Sequence, residues 1–153
     1  MIIGHVAISL LEHRYLDAEL TPVVVGGLFP DIVDKTLCYV LHVTPSGRMY
    51  AHTALGLAAS TLFAWLLGNK RTARGWALGY AGHLLADGAD TLPWWFPFRG
   101  YTFRPSPKID EILKRFFENR GELVLEAVLL GWAVLALLAR SSRSDRAAGI
   151  REA

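Results

Sequence analysis

The residues of this chain best able to do chemistry are histidines and aspartates set into apolar sequence. The segment from Gly79 to Asp90 carries His83 and Asp87 four positions apart. On a helix that spacing puts both on one face, a turn from each other. An apolar helix gains nothing by burying an imidazole with a carboxylate unless a partner satisfies both. A divalent metal ion does so, because ions of the zinc type take histidine nitrogen and carboxylate oxygen. His5, Asp31 and His52 stand in three further segments, each near apolar sequence. The candidate metal ligands are therefore His5, Asp31, His52, His83 and Asp87, more donors than one catalytic zinc needs. They suit one ion with supporting partners, or two ions sharing a carboxylate. Asp34 and Asp90 are candidates to orient a ligand histidine. Lys35 is placed to neutralise Asp31 or Asp34, and Arg48 to hold a phosphate through its guanidinium fork.

These residues need elements to position them. Residues 2–16 read as a helix with His5, Ser9 and His13 stacked at spacing four. Thr21-Pro22 reads as a helix start. The apolar run Val23–Phe29 then meets Pro30, where a kink or restart is expected. A second helical piece follows to about Val43, and Pro45-Ser46-Gly47 makes a turn. Met49 to Asn69 is 21 residues without Asp, Glu, Lys or Arg, closed by Lys70, Arg71 and Arg74. At 1.5 Å per residue such a run crosses a hydrocarbon core of ~30 Å. Gly75–Ala86 is apolar and leads through Asp87 and Asp90 to Trp94, Trp95, Phe96 and Phe98, a cluster typical of the bilayer boundary. Lys108–Asn119 is amphipathic, and Leu123–Ala139 is 17 residues with the single charge of Glu126. The expected fold is all-α: a membrane-embedded bundle of about four long helices plus one short amphipathic helix. Residues 1–140 form one domain, and 141–153 a polar, disordered tail. If the helices flanking residue 72 run antiparallel, equal rise brings His52 and Asp87 within roughly 8 Å of the same depth.

Composition agrees with that picture. Hydrophobic residues make up 52% and charged residues 20% of the 153, where soluble domains carry about a quarter charged. Mean hydropathy is +0.29. A net charge of +2, with no basic patch interleaved with aromatics, argues against nucleic acid as a partner. Cys38, the only cysteine, forms no internal disulfide and reads as a small buried hydrophobe. The N-terminus lacks the basic stretch of a secretory signal, so His5 is expected in the mature chain. Positive-inside counting balances; the compact basic loop at Lys70–Arg74 and the basic tail favour placing both in the cytoplasm.

Four motifs occur in order: Gly4-His5; Phe29-Pro30-Asp31-Ile32-Val33-Asp34-Lys35; Gly47-Arg48 with His52-Thr53; and Gly79-Tyr80 with His83 to Asp87, followed by Trp94 and Phe96-Pro97. In this the chain resembles the YdjM-like family of membrane-bound metal-dependent hydrolases, over roughly residues 1–98. The resemblance implies a multi-pass protein of the cell inner membrane with metal at His5, Asp31, His52, His83 and Asp87. That family is distantly similar to zinc-dependent phospholipase C, which implies phosphoester chemistry by analogy. The expected function is a membrane-bound metal-dependent hydrolase, with zinc the favoured divalent metal and a membrane lipid or small molecule, such as a lipid-derived phosphoester, as substrate. Asp87 or Asp31 would serve as general base, and Arg48 with Lys35 would stabilise developing negative charge. The rival is a non-catalytic membrane protein whose metal, or whose His/Asp pairs, stabilise a bundle that binds a partner.

Overall fold

The computed structural model describes residues 3–88 and 90–149, the last ten as backbone alone. Every regular element among them is helical. The helices are α1 (Gly4–Leu16), α2 (Leu20–Lys35), α3 (Ala54–Leu67), α4 (Lys70–Ala86), α5 (Ile109–Glu118) and α6 (Arg120–Gly149). A π-helical turn, Thr36–Val40, extends α2.

The local rules account for most of the boundaries. Thr53 caps α3 by accepting from the Gly56 N–H, and Asn69 caps α4 by accepting from Arg71 and Thr72. Only Gly68 and Asn69 lie between these helices, which forces them antiparallel. The expected start at Thr21-Pro22 is corrected by two residues: Glu19 occupies the cap position, and α2 begins at Leu20. Pro30 does not interrupt α2, which continues through it to Lys35.

The expected membrane spans are also revised. The uncharged run 49–69 yields only the 14-residue α3, because its first five residues, 49–53, are bends. Fourteen residues rise about 21 Å, short of the ~30 Å core. Among the described residues one helix is long and apolar enough to cross a membrane, Arg120–Ala139 of α6. The tail expected from residue 141 overlaps the end of α6 as far as Gly149, and residues 150–153 lie outside the described residues.

Packing centres on α2 and α4, which touch through glycines. A methyl group on Gly79 would run into the Val23 carbonyl and sit 2.9 Å from the Gly27 amide nitrogen. One on Gly27 would strike the Ser9 hydroxyl of α1. Small residues let backbones approach to this distance, which is how helices pack where lipid supplies no hydrophobic drive. Around this seam α1 lies against α2, α4 and α6, and α3 lies against α4. No residue of α3 is buried. Phe63, Leu66 and Leu67 of α3 and Val128, Leu135 and Leu138 of α6 are exposed, while His5, Ser9, Asp34, His52, His83 and Glu126 are buried. Glu126 accepts a hydrogen bond from the Ile3 N–H at 3.0 Å, tying α6 to the start of α1.

Candidate metal centre

Two of the imidazoles are held from behind by groups that fix which nitrogen faces inward. His83, in the last turn of α4, has Nδ1 2.7 Å from the Gly27 carbonyl oxygen of α2. A carbonyl only accepts, so Nδ1 carries the proton and Nε2 offers its lone pair. His52, in the bend before α3, donates from Nδ1 to Asp34 Oδ2 at 2.8 Å. Its Nε2 faces His83 Nε2 at 3.2 Å. Two nitrogen lone pairs at that distance repel unless a proton or a cation lies between them. Two nitrogens bound at 2.0–2.1 Å to a tetrahedral ion stand roughly 3.3 Å apart, so the observed spacing is one a metal would impose.

The carboxylates complete the arrangement. Asp87, just past the end of α4, brings Oδ2 to 3.4 Å from His52 Nε2 and 3.7 Å from His83 Nε2. Asp31 of α2 brings Oδ1 to 3.7 Å and 3.9 Å from the same two atoms. One donor atom each from Asp31, His52, His83 and Asp87 lies within 4.8 Å of all the others, close enough to hold a metal ion. Asp31 Oδ1 and Asp87 Oδ2 are both buried and lack a hydrogen-bond partner. Buried polar atoms are seldom left so, and here the orphans point into one small space. The donor set, two imidazoles and two carboxylates, fits a divalent ion of the zinc type.

His5 stands beside these four. Its ring stacks on His83 with centroids 3.9 Å apart, and Nε2 lies 3.2 Å from Asp87 Oδ1, the oxygen turned away from His52. Its Nδ1 is 3.9 Å from Asp31 Oδ2. His5 Nε2 is a further buried atom without a hydrogen-bond partner. Arg48 Nε reaches Asp87 Oδ2 at 2.9 Å, an ion-pair distance outside hydrogen-bonding alignment. Lys35 Nζ donates to Asp31 Oδ2 at 2.6 Å.

Asp34 does more than orient one histidine. Its carboxylate accepts the backbone N–H groups of Met49, Tyr50, Ala51 and His52, at 2.7, 3.1, 3.0 and 3.2 Å, as well as His52 Nδ1. Successive amides converging on one anion form the concavity that irregular backbone uses to hold negative charge. Here the anion belongs to the protein, and the bound backbone is the loop that presents His52 and Arg48. The Tyr80 hydroxyl of α4 donates to the Ala51 carbonyl and holds the same loop from the other side. The role of Asp34 as a histidine partner was readable from sequence; its grip on the loop backbone was not. Nor was the glycine seam that brings the Gly27 carbonyl to His83, although Gly26-Gly27 with Gly75 and Gly79 is a signal that could have shown it. Two further polar side chains of α1 lie elsewhere. His13 Nδ1 donates to the Ala18 carbonyl at 2.6 Å, closing the turn after α1, and the Glu12 carboxylate lies against Gly82.

A smaller cavity, about 360 Å³, opens from the Asp87–Arg48 edge of the cluster. A larger cleft of about 660 Å³ between α2, α3 and α4 has neither carboxylate nor imidazole in its walls.

An all-helical chain with apolar helix faces outward and a buried His/Asp cluster inside belongs, by class, with membrane proteins carrying a possible metal site. The family comparison is specific: the model of the YdjM inner membrane protein family matches residues 1–144, and the chain belongs to that family. No curated protein and no solved structure matches it.

Proposed function

We propose that this protein is a multi-pass, metal-dependent hydrolase of the inner membrane, with Asp31, His52, His83 and Asp87 as metal ligands. The observation that carries the reading is the pair of imidazole Nε2 atoms 3.2 Å apart, facing two orphaned carboxylate oxygens. A divalent ion held there, zinc by its donors, would lower the pKa of a water and polarise the bond to be cut. The chain's residues would do the rest. His5, against Asp87 Oδ1, would keep that carboxylate turned toward the cluster. Asp87, or Asp31 where it is not fully engaged by the ion, would take the proton of the attacking water as general base. Arg48 and Lys35, both at the mouth, would offset negative charge developing on a substrate such as a phosphoester of lipid origin. Hydrolysis adds water across the ester bond, the hydroxyl staying on the acid and the proton leaving with the alcohol.

One observation favours a second reading. Four protein donors around one point form a closed tetrahedral set, the pattern of structural zinc. Against it stands the cavity that reaches Asp87 and Arg48 from outside. Elemental analysis of detergent-purified full-length chain and of His83→Ala, with a metal-dependent hydrolysis assay on a panel of chromogenic phosphoesters, separates the two. Metal in the wild type, loss in His83→Ala and turnover abolished by chelation are expected. Bound metal without turnover would leave the structural reading, and wild-type protein free of metal would end both.

A further inference from the structure

The cavity beside the metal cluster has a wall that no part of the chemistry so far requires. Its inner end holds Asp87, Arg48 and Lys35; its outer wall is α5, contributing Ile112, Arg115 and Phe116. The segment leading into α5 is tied to the 45–47 turn: the Ser106 hydroxyl accepts the Gly47 N–H at 2.9 Å, and the Ser106 N–H donates to the Pro45 carbonyl at 2.9 Å. Three cations, Lys35, Arg48 and Arg115, therefore line one cavity, together with the carboxylates of Asp87 and Glu122. Lys35 and Arg48 are neutralised now by Asp31 and Asp87. Once those carboxylates serve a divalent ion, both cations need a new anion, and Arg115 adds a third positive charge against the single remaining carboxylate, Glu122. The guanidinium forks of Arg48 and Arg115 suit a tetrahedral oxyanion.

Part of the remaining wall is apolar, supplied by one edge of the apolar face of α5. Ile112 and Phe116 line the cavity, while Ile109, Leu113 and Phe117 face outward and are exposed. A short helix with one apolar face and its charged residues opposite lies naturally in a membrane interface. A ligand entering there would come from the bilayer edge, head first.

We propose that α5 forms the substrate-recognition wall of the site. It binds an amphiphile with a phosphate-type head, the head held by Arg115 with Arg48 and Lys35, and the chain laid along Ile112 and Phe116. The proposal rests on the metal-centre reading and names the substrate class of that site. It assigns Arg115 as a positioning residue for the head group.

Binding of methylphosphonate and hexylphosphonate to the zinc-loaded full-length chain in detergent tests it. The two share a head group whose carbon–phosphorus bond resists hydrolysis and differ only in chain length. Hexylphosphonate is expected to bind at least about tenfold tighter, since roughly two buried methylenes suffice for that factor. Hexanol should bind weakly. Arg115→Gln should weaken both phosphonates by roughly tenfold, the worth of one charge-assisted hydrogen bond, with partial rescue by Arg115→Lys. Phe116→Ala should remove only the advantage of the longer chain. Equal affinity for the two phosphonates would overturn the amphiphile and leave a site for free phosphate. Unchanged binding in Arg115→Gln would overturn the α5 wall. Metal content of the same samples keeps the readings apart: full metal without phosphonate binding sinks the cleft alone. Arg115-dependent binding in a chain without metal sinks the hydrolase and upholds the cleft.

Discussion

The seam between α2 and α4 and the outer faces of α3 and α6 are built on opposite rules. At the seam, glycines bring two backbones into contact, and the side chains gathered at its end are Asp31, Asp34, His83 and Asp87. On α3 and α6 the residues are large and apolar and point outward; only 17% of the apolar window of α6 is buried. A water-soluble domain inverts this arrangement, because its apolar area is what burial stabilises. Where lipid covers the outside, apolar area is free to face out. The interior must then cohere through close backbone packing and satisfied polar groups. The contrast teaches where to expect sensitivity: in the small and charged residues, and much less in the large apolar ones.

Substitutions can break or sharpen that contrast. The largest effect is expected for Gly79→Leu, since even its first carbon would overlap the Val23 carbonyl. Backbone cannot yield as a side-chain end does, so a loss of ~3 kcal/mol or more is expected. It should appear as loss of the monodisperse species on size exclusion in detergent; a well-behaved variant would show that the seam is looser than described. Next comes Asp34→Asn. It leaves the volume unchanged but removes the charge that binds four amides and one imidazole. Metal affinity should fall roughly 10- to 100-fold, the usual cost of losing a ligand's hydrogen-bonded partner. Competition with a chromogenic chelator measures it, and unaltered affinity would mean that the loop holds His52 without Asp34.

The two α1 and α4 histidines divide more finely. His83→Ala should abolish stoichiometric metal, whereas His5→Ala, outside the four-residue group, should retain one ion with weakened affinity. Equal loss in both would make His5 a ligand in its own right. The smallest effect belongs to the outer face. Leu66→Ala and Leu135→Ala, both more than two-thirds exposed by rounding at 68% and 67%, should shift stability by no more than ~0.5 kcal/mol in detergent. A large shift at either would mean that the face is covered by protein rather than lipid.

Much of the helical content was legible because it is local. Apolar runs and the amphipathic period of 108–119 placed α1, α5 and the apolar part of α6 within a few residues. The length of α3 was not legible, since composition alone does not distinguish 49–53 from the helix that follows. Those residues leave the helix because their amides are taken by Asp34, a partner 15 to 18 positions away. The sequence by itself also determined the chemical inventory, as imidazoles and carboxylates in apolar surroundings have few uses. Even the pairing of His83 with Asp87 followed from helix periodicity.

Which donors meet, and in what shape, was decided only by tertiary structure. The Nε2 atoms of His52 and His83 face each other because Gly27 and Asp34 on α2 claim their opposite nitrogens. His5 stacks on His83 and takes the far side of Asp87 because α1 crosses α2 and α4 at that end of the seam. Both outcomes depend on how closely helices approach. That distance is set by side chains that glycine lacks, acting between segments far apart in the chain, and no periodicity within one segment contains it.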